Sequence, residues 1–345
     1  MTHIEREIFA QPGVLDKLLR LEGKRIEKIA KSIRKANIDT LFVVARGSSD
    51  NAGQYGKYLF GARNRLVVAL ATPSLFTLYK RPPDLARCLV LAISQSGESD
   101  DLCSVVEEAR RQGGRTLVMT NIATSPLASL GHDVIRLHAG AERSVAATKT
   151  YTAQLLALAM LSRALDGRKA DRENLARVPE VIERTLDASG SVAGLAERYR
   201  YVERLSVIGR GFNYATSFEL ALKLKELCYL TAEPYSSADF RHGPIAIVEE
   251  GFPVLLIAPR GKTMADLKQL ARSLVQRKAE LLVISENRAL RSLAKTILPY
   301  AAGLPEWLTP LSTVVPGQLF AMHLAAARGL PLDVPRGLSK VTRTR

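Results

Sequence analysis

Residues 88–99 read CLVLAISQSGES, and this stretch decides the fold. The apolar run 88–93 is typical of a buried parallel strand, because such strands are covered on both faces. Residues 100–111 are predicted to form a helix, which Gly113-Gly114 ends. This order indicates a parallel α/β fold with an anion site at the loop, where backbone N–H groups and the helix dipole favour negative charge.

The loop between strand and helix carries four small polar side chains that can donate hydrogen bonds to a phosphate: Ser94, Gln95, Ser96 and Ser99. We therefore interpret it as a phosphate cradle. The alternative is a capping loop in which Ser99 only caps the following helix. The loop lacks the lysine of a Walker motif and the glycine spacing of the dinucleotide fingerprint, so neither nucleotide site is predicted.

The composition narrows the class of protein. With 345 residues, 47% of them hydrophobic, the chain can fill the cores of about two domains. No apolar stretch approaches the roughly 18 residues of a membrane span, so we expect a soluble, cytoplasmic protein without a membrane partner. The net charge is +15, but the cations are scattered and no nucleic-acid-binding motif occurs, so no nucleic-acid partner is predicted. The three cysteines lack the spacing of metal ligands.

The second half of the chain repeats the pattern of the first. Gly211 follows an apolar strand 164 residues after Gly47 does, and Gly261 follows another 164 residues after Gly97. Three pairs of strands keep this spacing to within one residue, which favours two copies of one α/β unit. Each copy is expected to be a parallel sheet flanked by helices in three layers.

The predicted elements and domains follow from this repeat. In the first copy, strands are expected at 41–45, 88–93, 116–121 and 133–137, with helices from about Asn51 and over 146–165. The predicted organisation is a helical lead-in (1–35), a first domain (36–166), a helical connector (167–195), a second domain (196–330) and a tail (331–345).

Three polar side chains share one face of a helix predicted to begin near Tyr214. Glu219, Lys223 and Glu226 are spaced i, i+4 and i+7 in an otherwise apolar sequence. A salt-bridge ladder on the protein surface is the ordinary explanation. On a buried helix, a lysine beside an acid instead tunes a carboxylate for proton transfer.

Two more candidates lie outside the predicted helices. His242 follows a polar loop, 236–239, and a histidine there can act near neutral pH. Lys340 lies in a proline-containing tail, where a lysine is either solvent-exposed or closes over a site as an imine-forming or charge-neutralising group.

Together these motifs resemble the sugar isomerase (SIS) domain family, and within it the isomerase half of glucosamine-6-phosphate synthase. The resemblance extends from about residue 36 to the C-terminus. It depends on six segments in the order of that family: 47–49 (GSS), 94–99 (SQSGES), 145–149 (VAATK), 219–226 (ELALKLKE), 242–244 (HGP) and 335–340 (PRGLSK). Their number and order outweigh the surface explanations of the helix face and the tail.

The resemblance implies which residues bind the substrate. The loop 94–99 binds the sugar phosphate, and the sugar itself is lined by Ser49, Val145 and Ala147. Ala147 stands where the synthase has serine, so one hydroxyl contact to the sugar is missing. The expected ligand is a small-molecule sugar phosphate, and the resemblance implies no cofactor and no metal.

The resemblance also implies the catalytic roles. Glu226 is the expected base that moves a proton between C1 and C2. His242 helps to open the ring and reaches the site from a neighbouring subunit, which implies a homodimer with shared active sites. Lys340 contacts the open-chain ketose or forms an imine with it. Glu219 and Lys223 support ring opening and the charge balance around Glu226.

One departure from the synthase bears on the reaction. The synthase has an N-terminal glutaminase domain with a cysteine after its initiator methionine, whereas Thr2 follows Met1 here. The segment 142–149 (ERSVAATK) resembles more closely that of stand-alone isomerase-domain deaminases of amino-sugar phosphates. The expected reaction converts glucosamine 6-phosphate, or a close relative, to fructose 6-phosphate and ammonia. The alternatives are an aldose–ketose isomerase, a deglycase of fructosamine phosphates, and a non-catalytic sugar-phosphate sensor.

Overall fold

Alternating apolar strands and helices build two parallel sheets in this chain. The computed structural model describes residues 1–36, 38, 40–167 and 171–340. Residues 168–170 of the predicted connector and 341–345 of the predicted tail lie outside the described residues. The chain divides into two units. The N-terminal unit comprises Gly13–Glu142, Lys149–Ala176 and the described tail residues Ser339 and Lys340, and the C-terminal unit comprises Met1–Pro12, Arg143–Thr148 and Arg177–Leu338.

The N-terminal unit contains the first sheet. The chain begins with α1 (His3–Phe9), which belongs to the C-terminal unit, and continues through α2 (Gln11–Lys35), β1 (Thr40–Val44), α3 (Gly47–Asn64), β2 (Val67–Leu70), α4 (Ser74–Thr77), β3 (Cys88–Ser94), α5 (Asp100–Arg111), β4 (Arg115–Thr120), α6 (Pro126–Leu130), β5 (Asp133–Arg136), α7 (Lys149–Asp166) and α8 (Asp171–Ala176). The five strands are parallel, in the order β2-β1-β3-β4-β5. Val90 and Ala92 of β3 pack against Leu102 and Val105 of α5, so burial of apolar surface fixes that helix on the sheet.

The C-terminal unit contains the second sheet. Its elements after α1 are α9 (Val178–Ala188), α10 (Val192–Glu197), β6 (Arg204–Gly209), α11 (Tyr214–Cys228), β7 (Thr231–Ser236), α12 (Ser237–Arg241), β8 (Pro253–Ile257), α13 (Met264–Gln276), β9 (Glu280–Ile284), α14 (Arg288–Arg291), β10 (Thr296–Ile297) and α15 (Thr309–Ala327). The strands are again parallel, in the order β10-β9-β8-β6-β7. A Cβ on Gly317 of α15 would lie 2.3 Å from Leu220 Cδ1, so glycine permits α11 and α15 to pack closely.

The two sheets confirm the predicted repeat. When the first sheet is read from β2 and the second from β7, the two strand orders are the same. Each sheet begins with an edge strand, β2 or β7, next to the first strand of its unit, β1 or β6. The glycine that follows that first strand is left-handed in both copies, with φ +54° at Gly47 and +59° at Gly211. The helices α5 and α13 begin 164 residues apart, which is the offset that the glycines predict.

Two local predictions were wrong, and some strands were missed. Helix α3 begins at Gly47 and not near Asn51, so Ser49 lies in its first turn. The predicted loop 236–239 is the end of β7 and the start of α12. Sequence periodicity did not indicate the edge strands β2, β7 and β10. Strand β7 contains Pro234, which an edge strand tolerates because, among the residues that the structure describes, β7 pairs on one side alone, with β6.

Candidate active site

The loop 94–99 connects the carboxyl end of β3 to the start of α5, as predicted. Ser94 is buried, and its Oγ accepts a hydrogen bond from Gly97 N at 3.0 Å. Ser96 Oγ accepts a second one from Glu98 N at 3.3 Å. The loop therefore has a defined shape in which its own hydroxyls hold backbone N–H groups near the helix start. Such N–H groups are the ones that a phosphate bound at a helix N-terminus would use.

Gly97 fixes the shape of this loop. Its φ is +69°, and a Cβ there would lie 2.1 Å from Ser125 Oγ, so only glycine fits. Ser99 is the N-cap residue of α5, but its side chain makes no capping hydrogen bond. The capping alternative is therefore wrong for its hydroxyl. Gln95, Ser96 and Ser99 are partly exposed, and their contact with a phosphate stays a prediction.

Ser49, the predicted sugar contact of the N-terminal unit, lies on α3. It is buried, with 8% of its surface exposed, and its Oγ accepts a hydrogen bond from Gln154 Nε2 of α7 at 2.9 Å. This bond fixes the orientation of the hydroxyl. Gln154 was not predicted from the sequence, because it is one polar residue in a long apolar helix.

The segment 143–148 of the C-terminal unit carries the other two predicted sugar contacts, Val145 and Ala147, which are partly exposed. One carboxylate and one backbone carbonyl hold it. The buried carboxylate of Glu7 accepts a hydrogen bond from Arg143 N at 2.5 Å, and the backbone carbonyl of Asp333 accepts one from Val145 N at 3.0 Å. Neither residue was predicted, because nothing in a charged terminus or a proline-containing tail distinguishes them.

The helix α11 carries the predicted catalytic stripe in the C-terminal unit, and the stripe is buried. Lys223 Nζ lies 3.5 Å from Glu219 Oε1 and 2.5 Å from Glu226 Oε2. The exposed fractions of the three side chains are 0% for Glu219, 1% for Lys223 and 21% for Glu226. A surface ladder is therefore wrong. One lysine faces two carboxylates, and only Glu226 reaches solvent.

His242 lies at the C-terminal end of α12 and is exposed. The helix before it is anchored to the C-terminal unit by Arg241, whose Nη1 lies 2.6 Å from Asp266 Oδ1 and whose Nη2 donates to Asp266 O at 2.8 Å. Gly243, directly after the histidine, has φ +129°, which favours glycine. The imidazole is thus held at the surface of its unit on a fixed backbone.

Lys340 lies near the end of a tail that is without helix or strand over its described residues, as predicted. In the N-terminal unit its Nζ is 2.9 Å from Glu142 Oε2, and the Glu142 side chain is fully buried. Glu142 has no predicted role from the sequence. The two are 198 positions apart, so only the fold brings them together.

The chain is a tandem α/β protein with two repeated parallel sheets. One copy has a polar loop at the start of a helix, and the other has a helix with buried acidic and lysine side chains. The family model described as "SIS domain" matches residues 32–164 and 199–328. The chain therefore belongs to the SIS domain family, and the two matches coincide with the two sheets.

Relatives of this chain carry the names of enzymes that act on sugar phosphates. Glutamine–fructose-6-phosphate aminotransferase (isomerizing) of Thermus thermophilus is 34% identical over 97% of this chain and 58% of its own length. The chain thus spans somewhat more than half of that relative. A Silicibacter pomeroyi protein, provisionally named a phosphosugar isomerase, has a crystal structure with TM-score 0.88 and 34% identity over 96% of this chain and 99% of its own.

The fold extends to a more distant solved structure. Glucosamine-6-phosphate deaminase of Thermotoga maritima aligns with a TM-score of 0.81 at 21% identity, over 99% of this chain and all of its own. At this identity the likeness shows the shared fold. Within the part of the chain that the structure describes, no helix has both the length and the apolar character to cross a membrane.

Proposed function

We propose that this protein deaminates an amino-sugar phosphate, glucosamine 6-phosphate or a close relative, to a ketose phosphate and ammonia. The observation that carries the proposal is the arrangement on α11. Lys223 is shared by two carboxylates, and of the three side chains only Glu226 has appreciable solvent access. A carboxylate held beside a buried cation yet open on one side is suited to take a proton and return it.

The proposed reaction moves one proton between carbons and then adds water. After ring opening, assisted by His242, the substrate has an aldehyde at C1 and an amine at C2. Glu226 removes the proton on C2 while O1 takes up a proton, which gives a C1–C2 enolamine. The same carboxyl returns its proton to C1 while the amino group gives one up. The product is a C2 imine with a hydroxymethyl group at C1. Water adds to this imine, ammonia leaves, and fructose 6-phosphate remains when the substrate is glucosamine 6-phosphate.

The binding roles in this proposal follow the sequence prediction. Ser94, Gln95, Ser96 and Ser99 would hold the phosphate, and Ser49, Val145 and Ala147 would line the sugar. A phosphate grips the substrate at the end away from C1 and C2, so binding energy there positions the reacting carbons. Proton transfer of this kind is expected to contribute about 10²- to 10⁴-fold, with positioning supplying the rest.

Ammonia release from a panel of amino-sugar phosphates tests the proposal. We expect turnover by the wild type and a loss of about 10²- to 10⁴-fold in Glu226→Gln, because the amide cannot accept the proton. Glu233→Gln, which changes an exposed glutamate on β7, is the matched control and should retain full activity. Wild-type turnover by Glu226→Gln would remove the proposed base.

The same assay separates the alternatives by product. A free amino acid from fructosamine phosphates would identify a deglycase, and a ketose without ammonia would identify a plain aldose–ketose isomerase. Tight binding of a sugar phosphate with no turnover of any candidate would identify a sensor. Each of these outcomes contradicts the deaminase proposal.

We further propose a homodimer in which His242 serves the site of the neighbouring chain. The exposed position of His242 at the end of α12 supports this. Mixing Glu226→Gln with His242→Ala protein tests it, since a mixed dimer has one intact site. Random exchange should restore about a quarter of wild-type activity. If mixing restores nothing while the dimers exchange, each site is built from one chain.

A further inference from the structure

Arg46 and the loop 94–99 lie at the same edge of the first sheet, within the N-terminal unit. Strands β1 and β3 are parallel neighbours, and their register pairs Val44 with Ala92. Arg46 follows Val44 by two residues, as Ser94 follows Ala92. Because paired strands lie about 4.8 Å apart, this register brings the backbone of Arg46 to the side of the loop.

The edge between β1 and β3 is the place where a ligand is expected in this kind of sheet. In the order β2-β1-β3-β4-β5, the chain runs outward in one direction from β1 to β2 and in the other direction from β3 to β5. The crevice at the carboxyl ends of the two strands where the order reverses is the usual ligand site of an open α/β sheet. The loop 94–99 follows one of these strands, and Arg46 follows the other.

The side chain of Arg46 is anchored at the start of the helix that follows the loop. Its Nε and its Nη2 each lie 2.7 Å from Asp101 Oδ2. Asp101 is in the first turn of α5, and its side chain is 1% exposed, whereas the Arg46 side chain is 52% exposed. Asp101 thus fixes one edge of a guanidinium that is open to solvent. The planar group has a second edge, formed by Nη1 and Nη2, and such an edge suits a phosphate.

The charges around the loop call for a cation. Residues 94–101 contain three acidic residues, Glu98, Asp100 and Asp101, but no lysine or arginine. The phosphate of a sugar phosphate adds a charge of roughly −1.5 to −2 at pH 7. The backbone N–H groups and the dipole at the start of α5 offset part of this negative charge. Arg46, held by Asp101 at the same helix start, supplies a full positive charge.

We propose that Arg46 binds the phosphate group of the substrate directly, as the cation of the loop 94–99, and that Asp101 is the positioning residue that holds it there. The identity of the sugar in this proposal rests on the proposed function, whereas the contact with phosphate does not. Arg46 then selects phosphorylated over unphosphorylated sugars, because a neutral hydroxyl gains much less than a phosphate from a guanidinium.

Binding of inorganic phosphate, measured by titration calorimetry, tests the contact without turnover. Arg46→Gln should raise the Kd by about 10- to 100-fold, because charge-assisted hydrogen bonds are lost. Arg46→Lys keeps the charge without the planar fork, so its Kd should lie between those of the wild type and Arg46→Gln. The matched control is Arg210→Gln, which changes the arginine 164 residues later in the second copy and should leave the Kd within about twofold. Equal Kd values for the wild type and Arg46→Gln overturn the proposal.

A double variant separates a phosphate contact from an ion pair that serves the fold alone. Arg46→Gln leaves the buried carboxylate of Asp101 without this cation, which can disturb the start of α5. Arg46→Gln/Asp101→Asn removes both charges. We expect this double variant to bind inorganic phosphate at least about tenfold more weakly than the wild type. Wild-type affinity in the double variant would mean that Arg46 only neutralises Asp101, and the proposal would be wrong.

Kinetics connect the contact to the substrate. With glucosamine 6-phosphate, Arg46→Gln should raise KM by about 10- to 100-fold and leave kcat within about threefold, because the phosphate lies away from C1 and C2. A fall in kcat with an unchanged KM overturns the proposal. If the wild type releases no ammonia from any amino-sugar phosphate, the proposed function fails, and the phosphate titrations still decide the role of Arg46. A wild type that binds neither inorganic phosphate nor glucosamine 6-phosphate overturns the assignment of Arg46 as well.

Discussion

The loops 94–99 and 258–263 occupy the same place in the two copies of one fold. They differ in which groups accept hydrogen bonds from their backbone N–H groups. In the first copy, serine hydroxyls of the loop itself accept from Gly97 N and Glu98 N. In the second copy, carboxylates from elsewhere in the C-terminal unit do so. Arg260 N donates to Glu286 Oε1 at 2.8 Å, and Lys262 N donates to Glu306 Oε1 at 3.0 Å.

The difference shows how one repeat can keep an anion site while the other loses it. A carboxylate is itself an anion, so Glu306, which accepts from Lys262 N just before α13, occupies the position that a phosphate would need. Gly261 makes this possible, since a Cβ there would lie 2.3 Å from Glu306 Cδ. The second cradle, loop 258–263, is thus filled by Glu306 of the protein itself, and the proposed phosphate site is the first cradle, loop 94–99.

The largest expected difference between the two loops is in the effect of alanine at Gly97 and at the equivalent Gly261 on stability and turnover. Gly97→Ala forces a left-handed residue and displaces Ser125, so we expect a stability loss of about 2–4 kcal/mol and a fall in turnover of about 10³-fold as the loop reshapes. Gly261→Ala meets only the flexible end of Glu306, so it should cost about 1 kcal/mol and leave turnover unchanged. Urea denaturation and ammonia release measure the two effects. Equal losses of turnover in both variants would contradict the assignment of the cradle to the first copy.

Removing side chains from each loop tests the same contrast more gently. In Ser96→Ala/Ser99→Ala, two hydrogen bonds to a charged phosphate are lost, and KM should rise by about 10²-fold with little change in kcat. The matched variant Arg260→Ala/Lys262→Ala removes two exposed cations from the second loop and should leave KM within about twofold. Initial rates at fixed ionic strength provide the measurement. A larger KM effect from the second pair would mean that the phosphate binds in the second copy.

Opening the second cradle is a third way to probe the comparison. In a Ser96→Ala/Ser99→Ala background, Glu306→Ala should create a weak phosphate site with Kd on the order of millimolar, seen as a rise in Tm with added inorganic phosphate. Glu306→Gln is the matched control. Its amide oxygen can still accept from Lys262 N and fill the loop, so we expect no such rise. A response in the glutamine variant but none in the alanine variant would show that Glu306 does not occupy an anion site.

The repeat can be predicted from the sequence because its two signals, apolar strands and the glycines that follow them, depend on residues close together in the chain. Apolar strands and the left-handed glycines after them are set by neighbouring residues, so the spacing of Gly47 and Gly211 is enough to predict the register of the two copies. The buried stripe on α11 was predictable for the same reason, since helical spacing alone places Glu219, Lys223 and Glu226 on one face.

The residues that sequence analysis missed depend on contacts between distant parts of the chain. Glu142 meets Lys340, and Glu306 meets Lys262, only after the units have folded. A buried and an exposed glutamate look alike in a sequence, because burial is decided by tertiary packing. Edge strands such as β2 are missed for a related reason, since they are partly exposed and their side chains lack a clear hydrophobic pattern.

The smallest expected effect concerns the aspartates in the first turns of the two equivalent helices. Asp101 of α5 pairs with Arg46 at 2.7 Å, and Asp266 of α13 pairs with Arg241, the neighbour of His242, at 2.6 Å. Burial acts to raise the pKa of Asp266, but the bonds from Ser237 and Arg241 lower it overall. A depressed pKa stabilises the fold above the unfolded value of 3.8, and this stabilisation is lost as pH falls through the folded value.

Asp266→Asn should therefore be less stable than the wild type at pH 7, by about 1 kcal/mol for a partly exposed pair, and the gap should close below about pH 3.8. Because Arg241 anchors α12 and so positions His242, Asp266→Asn should also lower kcat by about two- to fivefold. Asp101→Asn lies beside the loop 94–99, so its effect should instead appear as a raised KM. Urea midpoints from pH 7 to pH 3 and initial rates measure both. If the stability gap widens as the pH falls, the pairing of Asp266 with Arg241 does not stabilise the second copy.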